Sequence, residues 1–303
     1  MAIEIVEVDA PLGHEIRGVD LAGEIDAKSF AAIEAAYDRY GVVVFRGRPL
    51  TPPQQLAFSR RFGPLQRYVL DRYNHKQYPE IFVVSNVVEN GEPIGMADAG
   101  RYWHTDMWLT RNPPRGSILH ALEVPERDGE PLGDTWFAST AAAYDALDEA
   151  MKRRLEGLRA VFSTERYLAF RARTNRQIDK ATGKASQAAL SELKSGDIEH
   201  PLVSIHPRTG RRCLYLCEGV ISSVIGLAPA ESDALVAFLE AHVVRPEFVY
   251  RHRWQVGDLV MWDNVSCLHK ATDDFELPQR RLMHRTTLAS QAPAPAAVGG
   301  AAA

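Results

Sequence analysis

The apolar positions of this chain fall into short runs of two kinds. In AKSFAAIEAAYDRY, residues 27–40, they recur at helical spacing, and Gly41 marks the stop, since glycine readily takes the left-handed conformation that closes a helix. VVVF (42–45) follows as a buried strand, and Thr51 stands as N-cap to a helix over PPQQLAFSRRF, with proline in its first turn. IFVVSNV (81–87) and GSILHALEV (116–124) are strand-like, whereas TAAAYDALDEAMKRRLEGL (140–158) reads as an amphipathic helix and ESDALVAFLEAHVV (231–244) as a further helix. LVSIHPRTGRRCLYL predicts a hairpin turning at Arg208-Thr209-Gly210. FVYRHRWQVGDLVMWDN predicts a strand, a turn at Val256-Gly257-Asp258 and a second strand, and RRLMHRTTL a last one. Many short strands and a few helices along one chain predict a β-sandwich or barrel with helical decoration.

Two segments break this pattern. The stretch from about 165 to 200, rich in Lys, Arg, Gln and Ser, is expected to be a lid, an insert or a subunit contact. The tail QAPAPAAVGGAAA (291–303) has a composition that cannot build a packed element and is expected to be disordered. No internal repeat is present. At 303 residues the chain is long enough for one large domain or two small ones.

Composition removes several function classes. A formal net charge of −4 gives no reason to expect a nucleic-acid or anionic-membrane partner. No run of about 18 apolar residues exists to span a bilayer, and MAIEIVEVD lacks a basic start and apolar core. The expected location is cytoplasmic. The three cysteines, Cys213, Cys217 and Cys267, show no C-x-x-C spacing and read as free thiols in a core. Composition leaves a homo-oligomer open.

The chemistry starts at RYWHTDMWLT, residues 101–110. On a strand, residues two apart share a face, so His104 and Asp106 are placed to chelate one ion. A second histidine would complete a two-imidazole, one-carboxylate triad, which suits Fe(II) because three positions stay open for a chelating co-substrate and O2. His269, in LVMWDNVSCLHKAT, is the best candidate, because it follows a strand that ends at Trp262-Asp263-Asn264. The other eight histidines are read as structural. In RRLMHRTT, Arg281 and Arg285 are four apart and share a face with Met283 between them, while His284 points the other way. Two guanidiniums on an inward face need anions to meet them, and arginine grips carboxylates or sulfonates bidentately.

Taken in order, H-T-D at 104–106, the G-D-T-x-F of Gly133-Asp134-Thr135-Trp136-Phe137, the W-D-N-x(4)-H of Trp262 to His269 and the R-x(3)-R of 281–285 resemble the TauD/TfdA group of Fe(II)/α-ketoglutarate-dependent dioxygenases. The resemblance runs from about residue 5 to 290. It implies a mainly β fold with flanking helices, the double-stranded β-helix or jelly-roll barrel. It implies His104, Asp106 and His269 as iron ligands, and Thr135 and Arg281 on the distal carboxylate of α-ketoglutarate, with Trp262 lining that pocket. Arg285 would face the anionic group of a small organic substrate, and Asn86 is placed with it on the substrate side. The implied cofactors are Fe(II), α-ketoglutarate and O2. The implied reaction is hydroxylation of a C–H bond in an aryloxyalkanoate, a sulfonate or an amino-acid-like substrate, with release of succinate and CO2.

Other readings remain beside it. Desaturation or epimerisation could run on the same iron centre. A non-catalytic metal-binding barrel would need neither Thr135 nor a buried arginine pair. A zinc hydrolase would lack its general base here, since no H-E-x-x-H occurs, and a halogenase would lack the carboxylate that Asp106 supplies.

Overall fold

Val42–Phe45 is buried on both sides, and its alternation shows how the main sheet is built. Val42 and Val44 point inward with Leu119, Val260, Trp262 and Met283, while Val43 and Phe45 point outward with Ile118, Leu259, Met261 and Leu288. The period of two thus gives one sheet two apolar faces. The outer face is covered by the helices Ala27–Tyr40 and Pro52–Arg60, through Ile33, Tyr37 and Phe58. The inner face meets a second, smaller sheet through Phe137.

The computed structural model describes residues 3–47, 49–174 and 196–290. The main sheet has eight strands. Val42–Phe45 and Gly116–Glu123 flank Leu259–Asp263, and Leu282–Leu288 lies beyond Gly116–Glu123, all in antiparallel pairs. Ile81–Ser85 pairs with the far side of Leu282–Leu288. The smaller sheet has three strands, with Thr135–Ser139 between Val249–His252 and Cys267–Ala271. A third layer, Arg159–Phe162 with Ile198–Pro201 and Ile221–Val224, packs with the helix Pro229–Val243 around Phe162, Leu216 and Leu239. Among the described residues no helix is long and apolar enough to cross a membrane.

Local signals behave as their chemistry dictates. Gly41 closes the first long helix at φ 71°, and the Thr51 N–H and hydroxyl both meet Gln54 Oε1 at the start of the next. The hairpin at 208–210 joins Val203–Ile205 to Arg212–Leu214. The strands on either side of Val256-Gly257-Asp258 do form, but each pairs elsewhere, so that turn carries the chain from the small sheet to the large one.

Two expectations need correction, and another falls mostly outside the described residues. Residues 140–158 form two helices, Thr140–Asp145 and Glu149–Leu155, because the Asp148 carboxylate accepts the Met151 N–H at 2.7 Å and starts a new helix. The polar stretch opens with the helix Thr164–Thr174 and closes with Ile198–Pro201; residues 175–195, on which the lid reading mostly falls, lie outside the described residues, as does the tail 291–303. His104 and Asp106 are not on a strand: His104 makes a single bridge to His269, and Asp106 sits in the turn that follows.

The outer face also buries polar groups. Gln55 Nε2 donates to the His284 carbonyl at 2.9 Å, and Ser59 Oγ lies 2.8 Å from Thr286 Oγ1. His284 is edge-on to His75 and paired in register with His120, whose Nε2 accepts the Leu50 N–H. Burial pushes His120 and His284 down to about 4; His75 and His120 add repulsion at His284, while Asp258 pulls His120 the other way. An unfolded chain protonates these rings near 6.5, so the folded state should hold its full stability above that pH. It should lose stability as pH falls from about 6.5 toward about 4 and level off below. Urea midpoints measured across this window should fall, and His284→Asn should make the fall shallower. Parallel curves for the two proteins would show that His284 is not one of the titrating groups.

Candidate metal and co-substrate site

The two sheets and the loop 99–110 converge on one buried cluster. The His104 N–H donates to the His269 carbonyl at 3.1 Å and the His269 N–H returns the bond to the His104 carbonyl at 2.9 Å. This reciprocal pair of hydrogen bonds stitches the loop to the edge of the small sheet and sets the imidazoles side by side, ring centroids 4.0 Å apart. Asp106 follows, and Met107 reverses the chain in the left-handed region at φ 54°. Asn264 anchors the turn: its carbonyl accepts the Thr105 hydroxyl at 2.7 Å, and its side-chain oxygen accepts the Asp106 N–H at 3.4 Å.

Asp106 Oδ1 lies 3.9 Å from His104 Nε2 and 3.9 Å from His269 Nε2. One donor atom from each of the three residues lies within 4.8 Å of the others, and all three side chains are buried. His104 Nδ1 is 2.8 Å from the Tyr102 carbonyl, so it carries the proton and leaves the Nε2 lone pair facing Asp106. Burial lowers the pKa of both imidazoles, with each other's proximity adding at His269, so both are neutral near pH 7. Burial alone would push the Asp106 carboxyl up. The Arg285 guanidinium, followed by His269, His104 and the Ser117 hydroxyl, overrides burial and holds it well below the usual carboxylate range. Two neutral nitrogen donors and one carboxylate are the protonation states that a divalent ion requires.

Arg285 Nη1 donates to Asp106 Oδ1 at 2.8 Å, while Ser117 Oγ donates to Oδ2 at 2.7 Å. The guanidinium lies 4.8 Å from the Phe82 ring centroid and 5.5 Å from that of Tyr68. A cavity of about 70 Å³ opens over these groups, walled further by Tyr167 and the buried ion pair Arg171–Asp98.

Arg281 is as buried as Arg285 but has no carboxylate in ion-pair range among the described residues. It lies over the Phe275 ring, and burial, with Arg101 nearby, lowers its pKa to about 10. Gly133 makes room for it: at φ 74°, an added Cβ would come within 3.2 Å of Arg281 Cδ and 3.0 Å of Phe275. Asn86 spends its amide on the backbone, accepting the Arg281 N–H and donating to the Gln279 carbonyl, both at 2.8 Å, and so braces the start of the arginine strand. Thr135 Oγ1 accepts from Trp254 Nε1 at 3.0 Å, and the buried Trp262 ring lies 4.7 Å from that of His269.

Ser117, Asn264 and Trp254 were not foreseen. Asn264 and Trp254 stood inside motifs already noticed, but nothing in their spacing shows which residue they touch. Of the histidines read as structural, His206 pairs with Asp263 at 3.2 Å and His252 with Asp258 at 3.1 Å, apart from this cluster. The three cysteines are free and buried.

Comparison with known proteins agrees with this geometry. The model of the family described as taurine catabolism dioxygenase TauD, TfdA family, matches residues 5–287. The chain is 34% identical over 279 residues to a pentalenolactone F synthase of Streptomyces arenae, covering 91% of each chain. It is 36% identical to the α-ketoglutarate-dependent 2,4-dichlorophenoxyacetate dioxygenase of Cupriavidus pinatubonensis, covering 90% of this chain and 92% of the relative. It superposes on a taurine dioxygenase from Burkholderia xenovorans with a TM-score of 0.76 at 32% identity, covering 96% of this chain and 90% of the other. The match runs nearly the whole length and the donor cluster is in place, so the chain belongs to the TauD/TfdA family and is an α-ketoglutarate-dependent dioxygenase that uses Fe(II) and O2.

Proposed function

We propose that residues 1–290 act as one double-stranded β-helix domain that hydroxylates a C–H bond of a small anionic organic substrate. His104, Asp106 and His269 would hold the iron. The iron, with α-ketoglutarate bound, would supply O2 activation for decarboxylation to succinate and CO2 and for oxidation of the substrate. The rest of the assignment falls to the chain itself. Arg281, charged and unpaired beside Gly133, would take the distal carboxylate of α-ketoglutarate with Thr135, and Trp262 would wall that pocket. Asn86 would fix the Arg281 backbone.

The observation that carries the substrate class is Arg285. It stands on the wall of the cavity among Phe82 and Tyr68, and its one carboxylate partner among the described residues is a candidate metal ligand. A ligand that claims Asp106 leaves this desolvated guanidinium in need of another anion. The aromatic wall favours an apolar body behind that anion, which accords with a relative named for an aryloxyacetate. Closing the cavity around such a molecule would exclude water from the reacting carbon and hold one C–H in place. A turnover screen over aryloxyalkanoates, alkylsulfonates and amino-acid-like acids, reading succinate and product mass, tests the class. Substrate-stimulated succinate and a product heavier by one oxygen are expected from one of them.

Three sets of variants probe the assignments. His104→Ala, Asp106→Ala and His269→Ala should each abolish Fe(II)-dependent succinate formation with unchanged circular dichroism; ordinary turnover in any one would remove that residue from the triad. Loss of a guanidinium that meets a desolvated anion costs about 2–5 kcal/mol, roughly 30- to several-thousand-fold in affinity. Arg281→Ala should therefore raise the KM for α-ketoglutarate on that scale even without substrate. Arg285→Ala should spare substrate-independent α-ketoglutarate decarboxylation and cripple use of the acid. Equal damage to α-ketoglutarate binding by both would refute the division of roles. Trp254→Phe removes the hydrogen bond that orients the Thr135 hydroxyl, worth about 1 kcal/mol or roughly fivefold. That variant should raise the KM for α-ketoglutarate with little change in kcat, and an unchanged KM would mean that Thr135 needs no such support.

A further inference from the structure

The outer face of the three-stranded sheet carries a second cavity, of about 590 Å³, within the range of small-molecule sites. Its lining shares no residue with the cavity over the metal donors. Strand alternation explains its walls. Phe137 and His269 point inward, so their neighbours Trp136 and Lys270 point outward. Register places Trp136 opposite Lys270 on one side and opposite Arg251 on the other, which gives a cation–indole–cation row across three strands. Trp103 and Arg101, from the loop that leads to His104, complete the walls with Val249.

The charges are unevenly matched. Arg251 is paired with Asp134 at 2.5 Å and its guanidinium lies 5.5 Å from the Trp136 ring centroid. Among the described residues Lys270 has no ion-pair partner, and Arg101 has no hydrogen bond from its guanidinium beyond a 3.4 Å contact to the Ala97 carbonyl. Asp273 is the one acid on the lining, so Arg101 and Lys270 against Asp273 leave one surplus positive charge. Arg101 is also substantially buried, and that burial, partly offset by Asp98 and Asp273, lowers its pKa. A cation kept from water without a partner is costly unless an anion joins it. Two indoles beside unpaired cations, in a cavity of this size, fit a flat ring that bears a negative charge.

We propose that this cavity is a second ligand site, which binds a flat aromatic carboxylate with its ring against Trp103 and Trp136 and its carboxylate on Lys270 and Arg101. The site is separate from the substrate position proposed above. It can be tested whether or not that reading holds.

The probe is 2-naphthoate, titrated by calorimetry into the Fe(II)- and α-ketoglutarate-loaded enzyme under nitrogen, where no turnover consumes the co-substrate. One binding event should persist in Arg285→Ala, which alters the inner cavity. The same event should weaken at least tenfold in Lys270→Glu and in Trp136→Ala, and at least tenfold when uncharged 2-naphthamide replaces the acid. Lys270→Met, which keeps the aliphatic stem, should weaken binding less than Lys270→Glu and guards against a folding defect. The proposal is overturned if naphthoate binds Lys270→Glu as it binds the wild type, if Arg285→Ala alone abolishes binding, or if naphthamide binds as tightly as naphthoate. It is equally overturned if the protein elutes as a dimer that Trp136→Ala dissociates and binds no naphthoate, since the face would then be an interface between copies of the chain.

Discussion

An ionised carboxylate kept almost dry is the constraint on which this structure turns. Asp106 is 5% exposed, and an isolated charge at that depth would sooner take up a proton than remain. It stays charged because two donors from distant strands reach it, the Arg285 guanidinium on one oxygen and the Ser117 hydroxyl on the other. No local segment could assemble these. The strand Gly116–Glu123 brings the hydroxyl, its neighbour Leu282–Leu288 brings the guanidinium, and the edge of the small sheet brings one imidazole. The two facing sheets are what make a stable, dry, negatively charged point available.

The two arginines illustrate how one strand serves two needs. They are similarly buried, yet Arg285 already has a carboxylate, whereas among the described residues Arg281 has an aromatic ring beneath it and no carboxylate in ion-pair range. A guanidinium with an anion at hand stabilises the fold as it stands. One without an anion is a cost the fold tolerates, and the bracing of its backbone by Asn86 and Ser85 shows where rigidity was needed to tolerate it.

Much of this was legible in the sequence, and the failures share a cause. Alternation along VVVF and RRLMHRTTL correctly gave the inward faces, because the pleat alone decides them. Gly41 and the 208–210 turn were readable for the same local reason. The spacing of His104 and Asp106 led to the right pair through the wrong geometry: they meet because a bridge and a left-handed turn aim them together, not because they lie on a strand. The single helix expected over 140–158 overlooked the competition that an aspartate side chain offers to its own backbone. Ser117, Asn264 and Trp254 form contacts across 11, 158 and 119 residues, and nothing local announces a partner so remote.

The paired backbone bonds between His104 and His269 have a further consequence. They use main-chain atoms alone, so this part of the attachment, unlike the Thr105 and Asn264 contacts beside it, does not depend on which side chains the loop carries. Only the partly buried positions beside the clasp, such as Arg101 and Leu109, are then free to change while the imidazoles keep their positions, because Gly100 leaves no room for a Cβ beside the His104 ring and Tyr102 and Trp108 are packed in the core. A scaffold clasped in this way can acquire new specificities one residue at a time, because variation and anchorage draw on different atoms of the same loop.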